Sequence, residues 1–557
     1  MSSSTGPSPL FVPLQPSPRL VAQMTGLSLR QSELEVSQQT NLKRMLRRIR
    51  AARGTRLSRS PRSAQVLNAA NALKKPATTT TVSMPALALP GSLVSESEGE
   101  GQREELLLAE DDDEWKDDEI GAFERTDITM DISDDPSPRE LKARIAKLFN
   151  QIFAPEPAIK ASQVSVNRLS GAMTNCVFMA TIDPAPTVPT ARAPRMLRAT
   201  AGGKHQHRNS KHQEATQLPR KYLLRVYGTG VDEFLSREKE LYWLNQLTSL
   251  GFGPKMYGIF GNGRLEEFLE STTLNKDDIR HASTSKHIAR RMCELHSLVS
   301  YYRPFDGSSG GAKANGKVAV DLSGKPELWT NVDAWMRLVQ RKWPTIRRKC
   351  DSNTQCTEIL NNWTRVEQAV RKIKAHIEKV AHSPVVFAHD DLQYGNILRL
   401  ERTGELVVVD FEYAGYNYRG FDIANHFCEW MADYYHPEHP HLLDPAQYPT
   451  DKQRHGFLRT YVRAKAFMDA NMKADAGVVE SDSAQPVELR TVRLSEDQVR
   501  KEVEALDREV GFFVPASHLH WGVWGLLQAC SSEIDFDYVG YATQRLSMFL
   551  SQVADLK

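Results

Sequence analysis

Between Phe387 and Tyr434 the chain reads FAHDDLQYGNILRLERTGELVVVDFEYAGYNYRGFDIANHFCEWMADY, and this stretch narrows the available folds more than any other. His389, Asp391 and Asn396 give the spacing H-x-D-x-x-x-x-N, and a β-branched run, Val407 to Val409, leads into Asp410 and Glu412. Arg402 to Glu405 forms a hairpin-like connection between them. Transfer of a phosphoryl group from ATP needs one carboxylate at the acceptor hydroxyl and oxygen ligands for magnesium. A loop Asp, a later Asn and an Asp closing the next strand supply those parts in that order. Either half alone is weak, since histidine beside aspartate is common in turns and strands often end in acids at the surface. Together they point to Asp391 as proton acceptor, to Asn396 and Asp410 as magnesium ligands, and to Glu412 as an additional ligand. Asp391 rather than Asp390 has the four-residue gap to Asn396. Asp390 is expected to face solvent; the other readings are that its charge raises the pKa of Asp391 or binds a further cation.

A chain of 557 residues is too long for one compact core and suggests two lobes plus tails. The formal net charge of +2 favours neither a nucleic-acid nor a membrane partner. No apolar run approaches a membrane span, and the N-terminus lacks a charged region followed by a compact apolar one, so secretion is not expected. The six cysteines have no C-x-x-C spacing, which reads as a reduced, cytoplasmic protein. Residues 1–136 are rich in Ser, Pro, Thr and blocks of charge, the composition of a disordered tail. Within it, residues 42–62 form a basic segment with Leu42, Met45, Leu46 and Ile49 at helical spacing. That segment reads as a weak membrane-surface contact, a partner helix, or simply a solvated tail. Ser58, Ser60 and Ser63 among its arginines read as phosphorylation sites, although such a context is common in basic tails.

Ordered sequence is expected from Ser137, where Leu141, Ile145, Leu148, Phe149 and Ile152 recur at helical spacing. Val164 to Ile182 reads as two strands around the turn Ser170, Gly171, Ala172, Met173, Thr174 and Asn175. The turn is small and polar, as backbone N–H groups need if they are to approach phosphate oxygens, though an ordinary hairpin turn reads the same. Lys221 to Tyr227 is a further strand, followed by a helix containing Arg237 to Leu244.

The sequences Glu412-Tyr413, Tyr416 to Ile423 and Asn425 to Trp430 resemble the choline/ethanolamine kinase family, as do Gly253 to Phe260 and Gly263 to Leu269. Protein kinases would place Gly after Asp-Phe and a later Ala-Pro-Glu, and neither is present. The resemblance runs with interruptions from about Ser165 to Leu546. It implies an α+β, two-lobed protein-kinase-like fold with a long disordered N-terminal tail. Residues 137–271 would form a β-rich, ATP-binding N-lobe with a polar insertion at 183–219, and residues 272–557 a mostly helical C-lobe with the catalytic loop and the amine pocket. It also implies that Ser170, Gly171, Thr174 and Asn175 approach the nucleotide phosphates, that Glu238 holds Arg225 against them, and that Glu267 lies at the adenine hinge. The family usually has Asn where this chain has Asp390.

A quaternary ammonium cannot donate a hydrogen bond, so π faces and a nearby carboxylate must hold it. Trp521 and Trp524 lie three residues apart on one helix face, in a W-G-x-W like the family's. Tyr413, Glu429, Tyr434 and Tyr541 match further pocket positions, though each alone reads equally as core, and Glu429 equally as an ion-pair partner of Arg419. The resemblance, closest to the choline branch, implies ATP- and Mg2+-dependent phosphorylation of choline to phosphocholine, opening the CDP-choline route to phosphatidylcholine. Alternatives are an ethanolamine or dual kinase, an aminoglycoside-type phosphotransferase of the same fold, and a catalytically silent scaffold. Oligomeric state stays open, a homodimer included.

Overall fold

The computed structural model describes residues 124–130, 138–169, 175–189, 215–227, 236–301, 326–476, 489–532 and 534–556. The chain begins its first lobe with strand β1 (Glu124–Thr126) and helix α1 (Pro138–Phe153). The antiparallel pair β2 (Val164–Leu169) and β3 (Asn175–Ile182) follows, then the short hairpin β4 (Thr187–Pro189) and β5 (Ala215–Gln217), then β6 (Lys221–Tyr227). Helix α2 (Arg237–Leu250) leads to β7 (Met256–Phe260) and β8 (Gly263–Glu267). Six of these strands form one sheet in the order β1-β7-β8-β6-β3-β2. The apolar face of α1 seals it: Phe149 and Phe153 meet Tyr222 with ring centroids 4.6 and 5.6 Å apart.

Two expected boundaries move. β1 pairs in parallel with β7, and Met130 exchanges two hydrogen bonds with the Asn262 side chain, of 2.8 and 2.7 Å. Residues 124–130 therefore belong to the first lobe and not to the tail. At the other end β9 (Ser271–Thr273) pairs with a strand of the second lobe, so the chain has crossed by Ser271. The rest of the tail, the 42–62 segment and most of the 183–219 insertion lie outside the described residues.

The second lobe is mostly helical. It comprises α3 (Lys276–Arg280), α4 (Ala282–Tyr301), α5 (Glu327–Arg341), α6 (Trp343–Cys350), α7 (Thr354–Asn361), α8 (Trp363–Val380), α9 (Arg419–Glu429), α10 (Asp451–Ala476), α11 (Glu496–Ser531) and α12 (Tyr538–Ala554). The 36-residue α11 runs through its centre and is buried almost continuously from Phe513 to Gln528. Trp329 and Trp335 are buried in its packing.

Two small sheets position the chemistry. β10 (Val385–Ala388) pairs with β13 (Gly415–Tyr418), and β11 (Ile397–Leu400) lies between β9 and β12 (Leu406–Val408). The β11–β12 turn closes at Gly404, whose φ of 68° favours glycine. Residues 389–396 connect β10 to β11, and residues 409–414 connect β12 to β13, so the sheets bring the two acid-bearing loops together. Helix α2 straddles the lobes: Trp243 packs on Phe387 and Tyr416, with centroids 4.5 and 5.5 Å away.

Candidate active site

The first loop is held by buried hydrogen bonds. His389 has no exposed surface, and its Nε2 lies 3.0 Å from the Val409 carbonyl. A carbonyl only accepts, so Nε2 carries the hydrogen and Nδ1 accepts from the Asp391 N–H at 3.3 Å. Burial keeps this imidazole below its usual pKa, and its ring packs on Phe411 at 4.9 Å. The backbone N–H groups of His389 and Asp390 donate to Asp422, at 3.1 and 2.8 Å, and His296 Nε2 lies 2.8 Å from the same carboxylate. Burial alone would raise Asp422, but His296, His389 and these donors hold it below the usual range.

Asp391 reaches the partly open end of this loop, and Asn396 Nδ2 donates to its Oδ2 at 2.8 Å. Burial, then the charges of Glu429, Asp410 and Glu412, push the Asp391 carboxyl well above the usual carboxylate range. Asp390 corrects the sequence expectation. It is 1% exposed and turned inward by a φ of 64°, and its Oδ2 accepts from Asn417 Nδ2 at 2.9 Å. Burial, then neighbouring Asp422, pushes its carboxyl well above the usual range. The backbone's αL turn, not side-chain polarity, decides its direction.

The second loop presents Asp410 with a φ of 67°. Its Oδ2 accepts from Arg225 Nη1 at 3.2 Å, while Oδ1 is buried without a partner among the described residues. Burial would raise this carboxyl, but Arg225, Arg264 and His389 hold it low. Carboxylate oxygens of Asp410, Glu412 and Glu240 lie within 4.8 Å of one another. Burial and the charges of Asp410 and Glu240 lift Glu412 to about 8. Three crowded oxygen donors, one with a buried unpaired atom, fit a hard divalent cation. Asn396 stands on the Asp391 side, its amide nitrogen committed to that carboxylate, which leaves its oxygen as ligand atom.

Glu240 replaces Glu238 in the expected scheme. Glu238 is exposed and accepts from the Ser236 hydroxyl at 3.1 Å. Two residues along a helix turn the side chain by about 200°, so Glu240 faces inward. There it accepts from Arg264 at 2.5 Å and Arg237 at 3.0 Å. Arg225 is held instead by Asp410 and by Glu266, at 3.2 and 3.8 Å. Arg264, directly across the sheet from Arg225, was missed; an arginine on a strand buried on both sides was its signal. Glu267 accepts from the Lys255 backbone and side chain, both at 3.2 Å. Asn175 opens β3 opposite Tyr227. Ser170, Gly171 and Thr174 lie outside the described residues.

The aromatic positions converge. The rings of Trp521 and Trp524 stand 5.3 Å apart at 81°, Tyr413 meets Trp521 at 5.2 Å, and Tyr541 meets Trp524 at 6.1 Å. Trp524 Nε1 donates to Tyr413 Oη at 2.8 Å. Glu429 accepts from Tyr434 Oη at 2.6 Å and from Arg545 Nη2 at 2.8 Å, and the Arg545 guanidinium lies 5.1 Å from the Tyr541 ring centroid. Arg419 pairs with Glu509 and not with Glu429. Burial, then neighbouring carboxylates, raises the Tyr413 hydroxyl well above its usual pKa, and burial raises that of Tyr541. Asn425 joins the parts: its Nδ2 donates to the Asp390 carbonyl at 3.0 Å, and its Oδ1 accepts from Trp521 Nε1 at 2.7 Å and Ser517 Oγ at 2.8 Å. Arg545 was also missed, although an arginine among Tyr541, Ala542, Leu546 and Phe549 on an apolar helix face calls for a buried carboxylate.

The family model for choline/ethanolamine kinase matches residues 166–550. Probable choline kinase 2 of Arabidopsis thaliana is 30% identical over 74% of this chain and 91% of its own length. The choline/ethanolamine kinase of Homo sapiens is 33% identical over 61% of this chain and 74% of its own. The choline kinase of Schizosaccharomyces pombe is 27% identical over 76% of this chain and 91% of its own.

Proposed function

Since the chain belongs to the choline/ethanolamine kinase family, we propose that it transfers the γ-phosphoryl group of ATP to the hydroxyl of choline, giving phosphocholine and ADP. The observation that carries this reading is the cage of Tyr413, Trp521, Trp524 and Tyr541 standing beside Asp391. The cage holds the cationic head, and the hydroxyl reaches the carboxylate. The choline oxygen bonds to the γ-phosphorus while the bond from that phosphorus to the bridging oxygen breaks. The bridging oxygen leaves with the electron pair as part of ADP, and Asp391 takes the hydroxyl proton. Arg225 and Arg264 bring positive charge to the nucleotide side. Magnesium, when bound by Asp410, Glu412, Asn396 and Glu240, neutralises charge on the transferred group.

Choline is favoured over ethanolamine because both Glu429 oxygens already accept hydrogen bonds, from Tyr434 and Arg545. A primary ammonium, with three donors to satisfy, gains less there than a quaternary one gains from the rings. Ethanolamine is small enough to enter as a secondary substrate. We further place the reaction in the cytoplasm, at the head of phosphatidylcholine synthesis; none of the six cysteines forms a disulfide among the described residues, and no helix among them is long and apolar enough to cross a membrane. ADP release measured with choline, ethanolamine and kanamycin tests the substrate. Choline should give the highest kcat/KM, and a preference for ethanolamine or kanamycin would overturn the reading.

A further inference from the structure

Among the described residues the large hydrophobic side chains that stay exposed are Tyr435, Leu442 and Ile534, at 67, 38 and 40%. All three fall on two loops, residues 433–444 after α9 and residues 534–537 between α11 and α12. The loops are stitched together. Gln544 exchanges two hydrogen bonds with the Leu443 backbone, both of 2.7 Å, and His441 Nε2 lies 3.5 Å from Asp537. The His441 and Phe536 rings are 6.3 Å apart. Exposed apolar side chains scattered singly need no explanation, whereas three gathered on one pair of joined loops do.

The charge of these loops has one sign. From Ala432 to Tyr448 the chain carries Asp433, Glu438 and Asp444 and no Lys or Arg. From Ser532 to Gln544 it carries Glu533, Asp535 and Asp537, and again no Lys or Arg. Lys276 on α3 pairs with Asp433. Glu438, Asp444, Asp535 and Asp537 are exposed and form no ion pair with Lys or Arg among the described residues. Glu438 and Asp537 have only His439 and His441 nearby, at 3.8 and 3.5 Å.

A face that is apolar and acidic at once excludes most occupants. Anionic headgroups and nucleic acid are repelled by it, and a second copy of the same face would set acid against acid. What fits is a cationic segment with an apolar stripe of its own. Residues 42–62 of this chain have that chemistry: Leu42, Met45, Leu46 and Ile49 recur at helical spacing among Lys43 and eight arginines, with no acidic residue. Roughly 60 residues separate this segment from β1. Even as a random coil a stretch of that length spans about 40 Å, against a radius of gyration of about 22 Å for a folded body of this size. The acidic run from Glu110 to Glu119 competes in charge, but it brings a single aromatic side chain, Trp115, and a like-charged Lys116.

We propose that residues 42–62 dock on this face of the second lobe, with their apolar stripe against Tyr435, Leu442 and Ile534 and their arginines against the four exposed acids. The docking does not rest on the choline reading.

A photo-crosslinking residue, p-benzoylphenylalanine, placed at Met45 of the full chain and irradiated in dilute solution tests the contact without any turnover. Peptide mapping should find the cross-link within one chain, on residues 433–444 or 534–537, and about fivefold less of it at about 1 M salt. Glu438→Lys with Asp535→Lys should lower the yield to the same degree while Tm stays within about 2 °C, as exposed sites allow. Arg47→Glu with Arg48→Glu and Arg50→Glu, placed in the segment itself, should do the same, and they decide the matter if the first variant fails to fold. A cross-link to residues 110–119, to another surface or to a second chain would overturn the docking. So would no cross-link at all, or one undiminished in the segment variant. Sedimentation of the full chain with phosphatidylcholine vesicles, lost on Tyr435→Ser with Ile534→Ser, would give the face to a membrane instead.

Discussion

Asp390 has its carboxyl buried, one oxygen on Asn417 and the other without a partner among the described residues. Its folded pKa stands well above the unfolded one, so folded protein holds a proton that unfolded protein releases above about pH 4. Stability from this group is therefore complete below the unfolded pKa and is lost as pH rises toward the folded one. Asp390→Asn keeps the shape and removes the titration. Its Tm should exceed the wild type's by about 2–4 °C at pH 8, with the gap closing near pH 4.5. Calorimetry across that range checks it, and a gap that widened toward acid would contradict the burial argument. A second contrast tests which helix carboxylate serves the cation. Glu238→Ala should leave kcat/KM within about twofold, whereas Glu240→Gln should raise the magnesium concentration for half-maximal rate about tenfold or more. Equal effects would mean that neither oxygen faces the metal.

At the scale of elements, α11 carries the cage and α2 carries Glu240, and they were legible to different degrees. The W-G-x-W spacing places Trp521 and Trp524 on one face of any helix, so the convergence of their rings could be read from order alone. The rotation of α2 about its axis could not, because Glu238 and Glu240 are equally good acids and only packing of Trp243 under Phe387 selects the inward one. Likewise nothing in the local sequence announces the αL turn that points Asp390 inward; the loop's backbone hydrogen bonds to Asp422, far along the chain, hold that turn. If α11 walls the amine site, Trp521→Ala or Trp524→Ala should weaken choline by about 1–2 kcal/mol, tenfold or more in KM. The KM for ATP should hardly move, and ethanolamine should lose less than choline. Equal losses for both amines with a lowered Tm would make these tryptophans core.

Across the whole molecule, the two-lobed plan followed from chain length and the family resemblance, while the strand pair β2–β3, strand β6 and the two acid-bearing loops could be read from pattern and spacing. The lobe's first strand could not: Glu124-Arg125-Thr126 has no alternation, and its partner β7 lies far along the chain. Removing residues 1–123 should therefore leave Tm within about 1 °C, while removing 1–131 should lower it by several degrees through loss of β1, buried Met130 and the Asn262 bonds. Equal Tm values for both truncations would show that β1 adds nothing. Asn425 has a wider consequence. One amide clamps the backbone beside Asp391, the proposed proton acceptor, and the Trp521 indole of the proposed cage, so the gap between them is a fixed gauge. An amino alcohol is thus measured by the length between its two ends, and lengthening its carbon spacer by one unit would put the hydroxyl out of step however well the head is held.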